Sequence, residues 1–261
     1  MLDEFSPSEP EALATDSRAL RTGRACSASD QRRKVTAVGA ESETNSFRAL
    51  LEPADRDRLD GLGRMCRFPG GARLMHEGEP GDRVMILLEG HVKASCVTAE
   101  GHEIVLSFRG PGDVLGELSF IDEQARSSSV TAIEPVEALV FSASSFRSYL
   151  RATPRAALTM VAVISGRFRD ANRKRIQFGA SDTIGRVAAR LVELVERYGQ
   201  TSERGSEITL PITQEELGGW TASSRAGVAK ALQTLRELGW IETDRKRITV
   251  CDLDALRARS A

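Results

Sequence analysis

Residues 210–241 read LPITQEELGGWTASSRAGVAKALQTLRELGWI, and the C-terminal fold follows from this stretch. Thr213 with Glu216 three residues on has the form of a capping box, which starts a helix. Ser223 or Ser224 can cap a second helix after Gly219-Trp220-Thr221-Ala222. Two caps ten residues apart spell helix, tight turn, helix. Leu217, Val228, Leu232 and Leu235 fall on the inward side of the pair. Ser224, Arg225, Gly227 and Lys230 fall toward the start and outer face of the second helix. The strand-turn-strand pattern ending at WIETDRKRITVCD (240–252) adds a wing carrying Arg245, Lys246 and Arg247. Basic residues alone describe only a solvated face. Caps, turn, apolar positions and basic wing in this order point to double-stranded DNA, with Thr213, Ser223 and Ser224 as further candidate contacts. Arg225 is the candidate for guanine O6 and N7, and Lys230 and the wing residues for phosphates.

Upstream, RAALTMVAVISGRFRDANRKRIQF (155–178) is a long helical run. Ala157, Val161, Ile164, Phe168, Ala171 and Phe178 form a 3-4-3-4 seam broken at Arg175, and Arg167, Arg169, Arg173 and Lys174 leave little second apolar face. Such a seam calls for a second copy of the chain. A further helix, TIGRVAARLVELVERYG (183–199), and a short strand, EITLPI (207–212), lead into the helix pair, the order of a winged helix-turn-helix over 181–261.

Further upstream, FPGGARLMHEGEPGDRVMILLEGHVKASCVTAEGHEIVLSFRGPGDVLGE (68–117) alternates short apolar runs with Gly70, Gly71, Gly78, Gly81, Gly90, Gly101, Gly110 and Gly112. Turn glycines at this spacing predict an antiparallel, jelly-roll-like β-roll over about 46–152, joined to the DNA module by a dimerisation helix at 153–180, an α+β chain. Residues 1–45 hold almost no large apolar side chains and read as a disordered tail. No apolar stretch approaches the ~20 residues of a membrane span, and the acidic start has no signal-peptide form, so a cytoplasmic protein without membrane partners is expected. The four cysteines, Cys26, Cys66, Cys96 and Cys251, are scattered without metal-ligand spacing and read as free thiols. The net charge of −1 is neutral on partners, but residues 221–250 hold six basic residues against three acidic ones.

ITQEELGGWTASSRAGVAKALQTL (212–235) closely resembles the helix-turn-helix signature of the cyclic-AMP receptor protein/Fnr superfamily, with Ser224, Arg225 and Val228 at its characteristic positions. Ala226 stands where well-studied members carry a glutamate that reads cytosine, and Gly227 where a threonine is common, so a different operator is implied. PGDVLGELSFIDEQARSSSVTA (111–132) resembles the phosphate-binding cassette of cyclic-nucleotide-binding domains. The resemblance implies that backbone at Gly116, Glu117 and Leu118 faces the cyclic phosphate, that Arg126 clamps its oxygens with Ser127 as a hydroxyl donor, and that Glu117 accepts from the ribose 2′-hydroxyl. It also places Ala171 and Asn172 where members meet the base. Asn172 can still bond adenine, while Ala171 removes a contact of about 1 kcal/mol. Cyclic AMP is the implied effector and cyclic GMP the second choice. A homodimer on a near-palindromic operator, with RNA polymerase as a further partner, completes the implied picture of an allosteric transcription regulator rather than an enzyme.

Three readings compete, one of them a cyclic-nucleotide-regulated subunit that controls another protein, which would share the cassette but not the C-terminal module. The same fold could bind DNA constitutively or sense another effector. An iron-sulfur sensor would need an N-terminal cysteine cluster where only Cys26 lies, and haem would need an axial ligand from His76, His91 or Cys96. A cupin-like enzyme would need paired histidines, which His76, His91 and His102 do not offer, and no metal is expected.

Overall fold

The computed structural model describes residues 46–244 and 247–260. The expected tail at 1–45, and the wing-tip residues Arg245 and Lys246, lie outside the described residues.

After α1 (Pro53–Asp60), eight strands form the roll: β1 (Arg64–Phe68), β2 (Arg73–Met75), β3 (Arg83–Glu89), β4 (Val92–Val97), β5 (Glu103–Arg109), β6 (Val114–Leu115), β7 (Ser129–Ala132) and β8 (Val136–Ser142). They make two antiparallel four-stranded sheets, ordered β1-β8-β3-β6 and β2-β7-β4-β5. Period-2 alternation sends Met85, Leu87, Leu115 and Ala138 into the space between the sheets. The opposite face of the first sheet, with Val84, Ile86, Leu139 and Phe141, is covered by helices. Phe146, fully buried on α3 (Ala143–Ala152), centres that layer against Phe120 and Phe141, ring centroids 5.3 and 5.6 Å away. Ser142 caps α3 by accepting from the Ser145 amide. Between β6 and β7 the chain makes one short helix, α2 (Glu117–Asp122).

The long helix α4 spans Pro154–Ala180, with proline at its first position, where no intrahelical amide is needed. Ala156, Met160 and Val163 bury one face against the roll's helical layer. The exposed apolar stripe is Leu158, Val161, Phe168 and Ile176, each at least 60% exposed. Of the expected seam, Val161, Phe168, Ala171 and Phe178 are exposed, Leu158 and Ile176 add to the stripe, and Ile164 is half-buried and packs against the sensor core. The face expected to be merely polar is not solvated either, because Arg167 and Lys174 continue the buried row of Met160 and find acidic partners.

The C-terminal module holds α5 (Thr183–Tyr198), α6 (Gln214–Thr221), α7 (Arg225–Glu237) and α8 (Leu253–Ser260) around a sheet ordered β11-β12-β10-β9, with β9 (Gly199–Ser202), β10 (Gly205–Ile208), β11 (Ile241–Asp244) and β12 (Arg247–Val250). This is the winged helix-turn-helix that the sequence predicts, with β9 as an added strand. The capping box is formed as expected: the Glu216 amide donates to Thr213 Oγ1 at 3.1 Å and the Thr213 amide to Glu216 Oε2 at 2.9 Å. Of the two candidate serines, Ser224 caps α7, accepting from the Gly227 amide at 3.1 Å.

Candidate nucleotide pocket and DNA-reading face

The turn from β6 into α2 brings the cassette residues together. Gly116 sits at φ 78°, and a Cβ there would lie 2.2 Å from Arg126 Nη1, so glycine is required both by the backbone and by the arginine beside it. Arg126 is buried. Its Nη1 donates to the Gly116 carbonyl at 3.0 Å and its Nη2 to the Arg83 carbonyl at 2.6 Å, with Asp82 at 3.7 Å. Burial lowers its pKa from the usual arginine value. Glu117, also buried, opens α2 beside it, while Leu118 and Ser127 are exposed. The Ser127 carbonyl accepts from Cys96 Sγ at 3.3 Å.

Arg167 was not singled out from the sequence as a site residue. Its Nη1 donates to Glu117 Oε1 at 2.7 Å and to the Val114 carbonyl, and its Nη2 to Asp113 Oδ1 at 3.0 Å. Burial alone would lower this guanidinium's pKa, but the two carboxylates outweigh it and raise it. Its signal in sequence is position: Arg167 lies seven residues after Met160, on the row that packs against the sensor. Asn172 lies elsewhere. Five residues beyond Arg167, it is turned about 140° around the helix and falls exposed within the stripe of Val161, Phe168 and Ile176. The structure thus brings Gly116, Glu117 and Arg126 together and leaves Asn172 facing away from them.

On the DNA-reading face, Arg225 is the first residue of α7 and Lys230 lies one and a half turns on; both are exposed, and Gly227 is half-buried between them. Ser223 does not face outward freely: its hydroxyl donates to the Thr221 carbonyl at 3.1 Å and accepts from Arg186 Nη2 at 3.2 Å. The Thr213 hydroxyl is likewise engaged by its capping box. Arg247, on the wing, is exposed and 3.3 Å from Glu207.

Comparison with known proteins agrees with both halves. Residues 65–153 match the cyclic nucleotide-binding domain family and residues 185–259 the Crp-like helix-turn-helix domain family. A CRP-like cAMP-activated global transcriptional regulator of Mycobacterium tuberculosis (strain CDC 1551 / Oshkosh) is 34% identical over 193 residues, which cover 74% of this chain and 86% of the relative. The chain belongs to the CRP-like family of DNA-binding transcriptional regulators. The cAMP-activated global transcriptional regulator CRP of Escherichia coli O157:H7 is 28% identical over 186 residues, 70% of this chain and 88% of that protein. The solved structure of FixK2 from Bradyrhizobium japonicum shares the fold at 20% identity and TM-score 0.68, covering 76% of this chain and 98% of its own.

In this CRP-like regulator the sensor and the DNA module share one packed core. Phe108 of β5 meets Trp220 of α6 edge to face, centroids 4.7 Å apart, and Val105 joins the same cluster as Leu191, Leu217 and Val228. Lys174 and Arg190 lie 5.2 and 5.3 Å from the Trp220 ring centroid. Both cations also bond Glu193, each at 2.7 Å, with Arg197 at 3.7 Å. Arg186 ties the end of α4 to the turn of the helix pair, donating to the Ser181 carbonyl at 2.7 Å and the Thr221 carbonyl at 2.9 Å. Among the described residues no helix is long and apolar enough to cross a membrane.

Proposed function

We propose that this regulator is switched by a cyclic nucleotide, with cyclic AMP preferred over cyclic GMP, and that it reads a near-palindromic operator as a homodimer in concert with RNA polymerase. The observation carrying the reading is the buried Arg126 guanidinium, held against the Gly116 and Arg83 carbonyls and next to Glu117, since a buried cation whose nearest carboxylate, Asp82, is only at 3.7 Å, beside a glycine-opened turn, suits a cyclic phosphate. Ser127 adds a hydroxyl, the backbone from Gly116 to Leu118 borders the phosphate, and Glu117 takes the ribose 2′-hydroxyl by sharing or exchanging its bond to Arg167. The cAMP-activated character of the relatives supports the same ligand.

The division of labour follows the expected boundaries: residues 46–152 sense, 153–180 dimerise and 181–261 bind DNA. The exposed stripe of α4 supports pairing of two copies, because apolar side chains at this helical spacing are costly in water. Asn172 within that stripe then serves the base bound by the partner subunit rather than by its own. Arg225 reads a base edge, with Lys230, Arg245, Lys246 and Arg247 on phosphates. Gly227 lets the α7 backbone approach the duplex, and Thr213, Ser223 and Ser224 hold the helix ends.

Calorimetric titration of cyclic AMP into the full chain tests this reading, with Arg126→Lys as the variant and cyclic GMP as the comparison ligand. Saturable binding to wild type that is abolished or strongly weakened in the variant is the expected result. Absence of binding to wild type would transfer the regulator to the constitutive or other-effector reading, which the missing hydroxyl at Ala171 favours, and would leave its DNA binding untouched.

A further inference from the structure

A second concavity, distinct from the nucleotide cassette but joined to it through Arg83, lies where the edge strands β1 and β2 leave the two sheets of the roll open. It is a cavity of about 470 Å³, lined by Arg64, Arg67, Arg73 and Arg83 together with apolar residues including Phe68 and Met85. Charged residues on edge strands ordinarily serve to discourage strand pairing, and for that they need only project into water. Four arginines lining one hollow together with apolar side chains go beyond that need. The volume lies in the range of small-molecule sites.

The charges are incompletely matched. Arg67 is paired with Glu137 at 2.5 Å, and Arg83 Nε lies 3.8 Å from Asp82. Among the described residues Arg64 and Arg73 have no carboxylate at salt-bridge distance; Arg73 acts on Glu103 only from further away. Arg83 Nε is moreover a buried donor with no hydrogen-bond acceptor, the kind of atom a bound ligand would satisfy. Arg83 Nη2 reaches the Leu74 carbonyl at 3.4 Å. The Arg83 carbonyl holds Arg126, so the wall of this cavity and the cassette share one residue.

We infer that this arginine-walled cavity is a second ligand site, for a small phosphate ester whose phosphate meets Arg64 and Arg73 and whose ring or carbon skeleton lies on Phe68 and Met85. Guanidinium forks match phosphate oxygens two at a time, and an apolar lining rewards a ligand that is more than a bare ion. A cyclic nucleotide, carrying one negative charge, suits the cassette better than this wall.

Phenyl phosphate is a suitable probe, titrated into the full-length protein at about 0.15 M ionic strength so that loose surface attraction is screened. Three chains are compared: wild type, Arg64→Gln/Arg73→Gln and Arg126→Lys. Saturable binding to wild type and to Arg126→Lys, weakened about tenfold or more in the double glutamine variant, is the expected pattern. Both substituted arginines are exposed, and Arg64→Lys/Arg73→Lys, which keeps the charge, should recover part of the loss. Loss of binding in Arg126→Lys but not in the double variant would put the ligand in the nucleotide cassette and overturn the inference. So would absence of saturable binding to wild type, or inorganic phosphate binding as tightly as phenyl phosphate.

Discussion

Arg167 of α4 donates to Glu117 of α2 at 2.7 Å, so the buried carboxylate next to Gly116 and Arg126 is held by the same helix that carries the exposed apolar stripe and leads to the DNA module. Any ligand that draws Glu117 toward itself acts on α4 through this bond.

Removing Arg167 leaves Glu117, whose side chain is only 9% exposed, without its cation. Breaking one side of a buried pair costs about 3–5 kcal/mol, because the remaining charge stays desolvated. Arg167→Met should therefore lower unfolding stability by about 3 kcal/mol, read from urea denaturation. Arg167→Met combined with Glu117→Gln should cost less than the sum of the two single changes by about 1 kcal/mol or more. Strict additivity would mean that the two side chains do not work as a pair.

Glu193 gives a pH dependence. Burial would raise its pKa, but Lys174, Arg197 and Arg190 outweigh burial and hold it below the usual carboxylate value of 4.5. A group whose folded pKa is depressed contributes stability that is present above its unfolded pKa and lost as pH falls through its folded one. The wild type should thus lose stability relative to Glu193→Gln as pH is lowered from about 4.5, the difference being largest at neutral pH. Melting temperatures of both proteins between neutral and acid pH measure this; parallel curves would contradict it.

The legible parts of this chain were those written in local chemistry. Thr213, Glu216 and Ser224 mark helix starts because caps act within one turn, and Gly116, Glu117 and Arg126 converge because no more than ten positions separate them. Contacts made across the fold were not legible. Lys174 reads as part of a polar helix face and Arg190 carries no signal of its own, yet both lie over Trp220, where Phe108 from a distant strand packs against the same ring. Arg167 was hidden for the same reason: its acidic partners come from the β6–α2 region some fifty residues earlier. Seam counting included Ile164, which packs partly against the sensor's own core, and passed over Leu158 and Ile176, which stand exposed.

Ala222 ends α6 at φ 43°, a left-handed conformation that a β-carbon resists. Ala222→Gly should relieve that strain. Part of the gain is returned through the greater freedom of an unfolded glycine, so a net stabilisation of about 0.5–1 kcal/mol is expected, seen as a raised melting temperature. Destabilisation would mean that the Ala222 methyl makes contacts worth more than the strain.

At the DNA face, Arg225 and Arg247 should fail in different ways. Arg225 is exposed at the first position of α7, so Arg225→Ala should cost ~1–3 kcal/mol against the best operator while relaxing preference at one base pair. Arg247 lies 3.3 Å from Glu207 and must leave that partner to meet a phosphate. Arg247→Ala should weaken all DNA sequences alike and lower the salt slope by about 1, whereas Glu207→Gln should free the arginine and strengthen binding modestly without changing sequence preference. Gel-shift titrations over a range of salt concentrations, on selected and scrambled operators, separate these outcomes. A change of base preference in Arg247→Ala, or none in Arg225→Ala, would exchange the two roles.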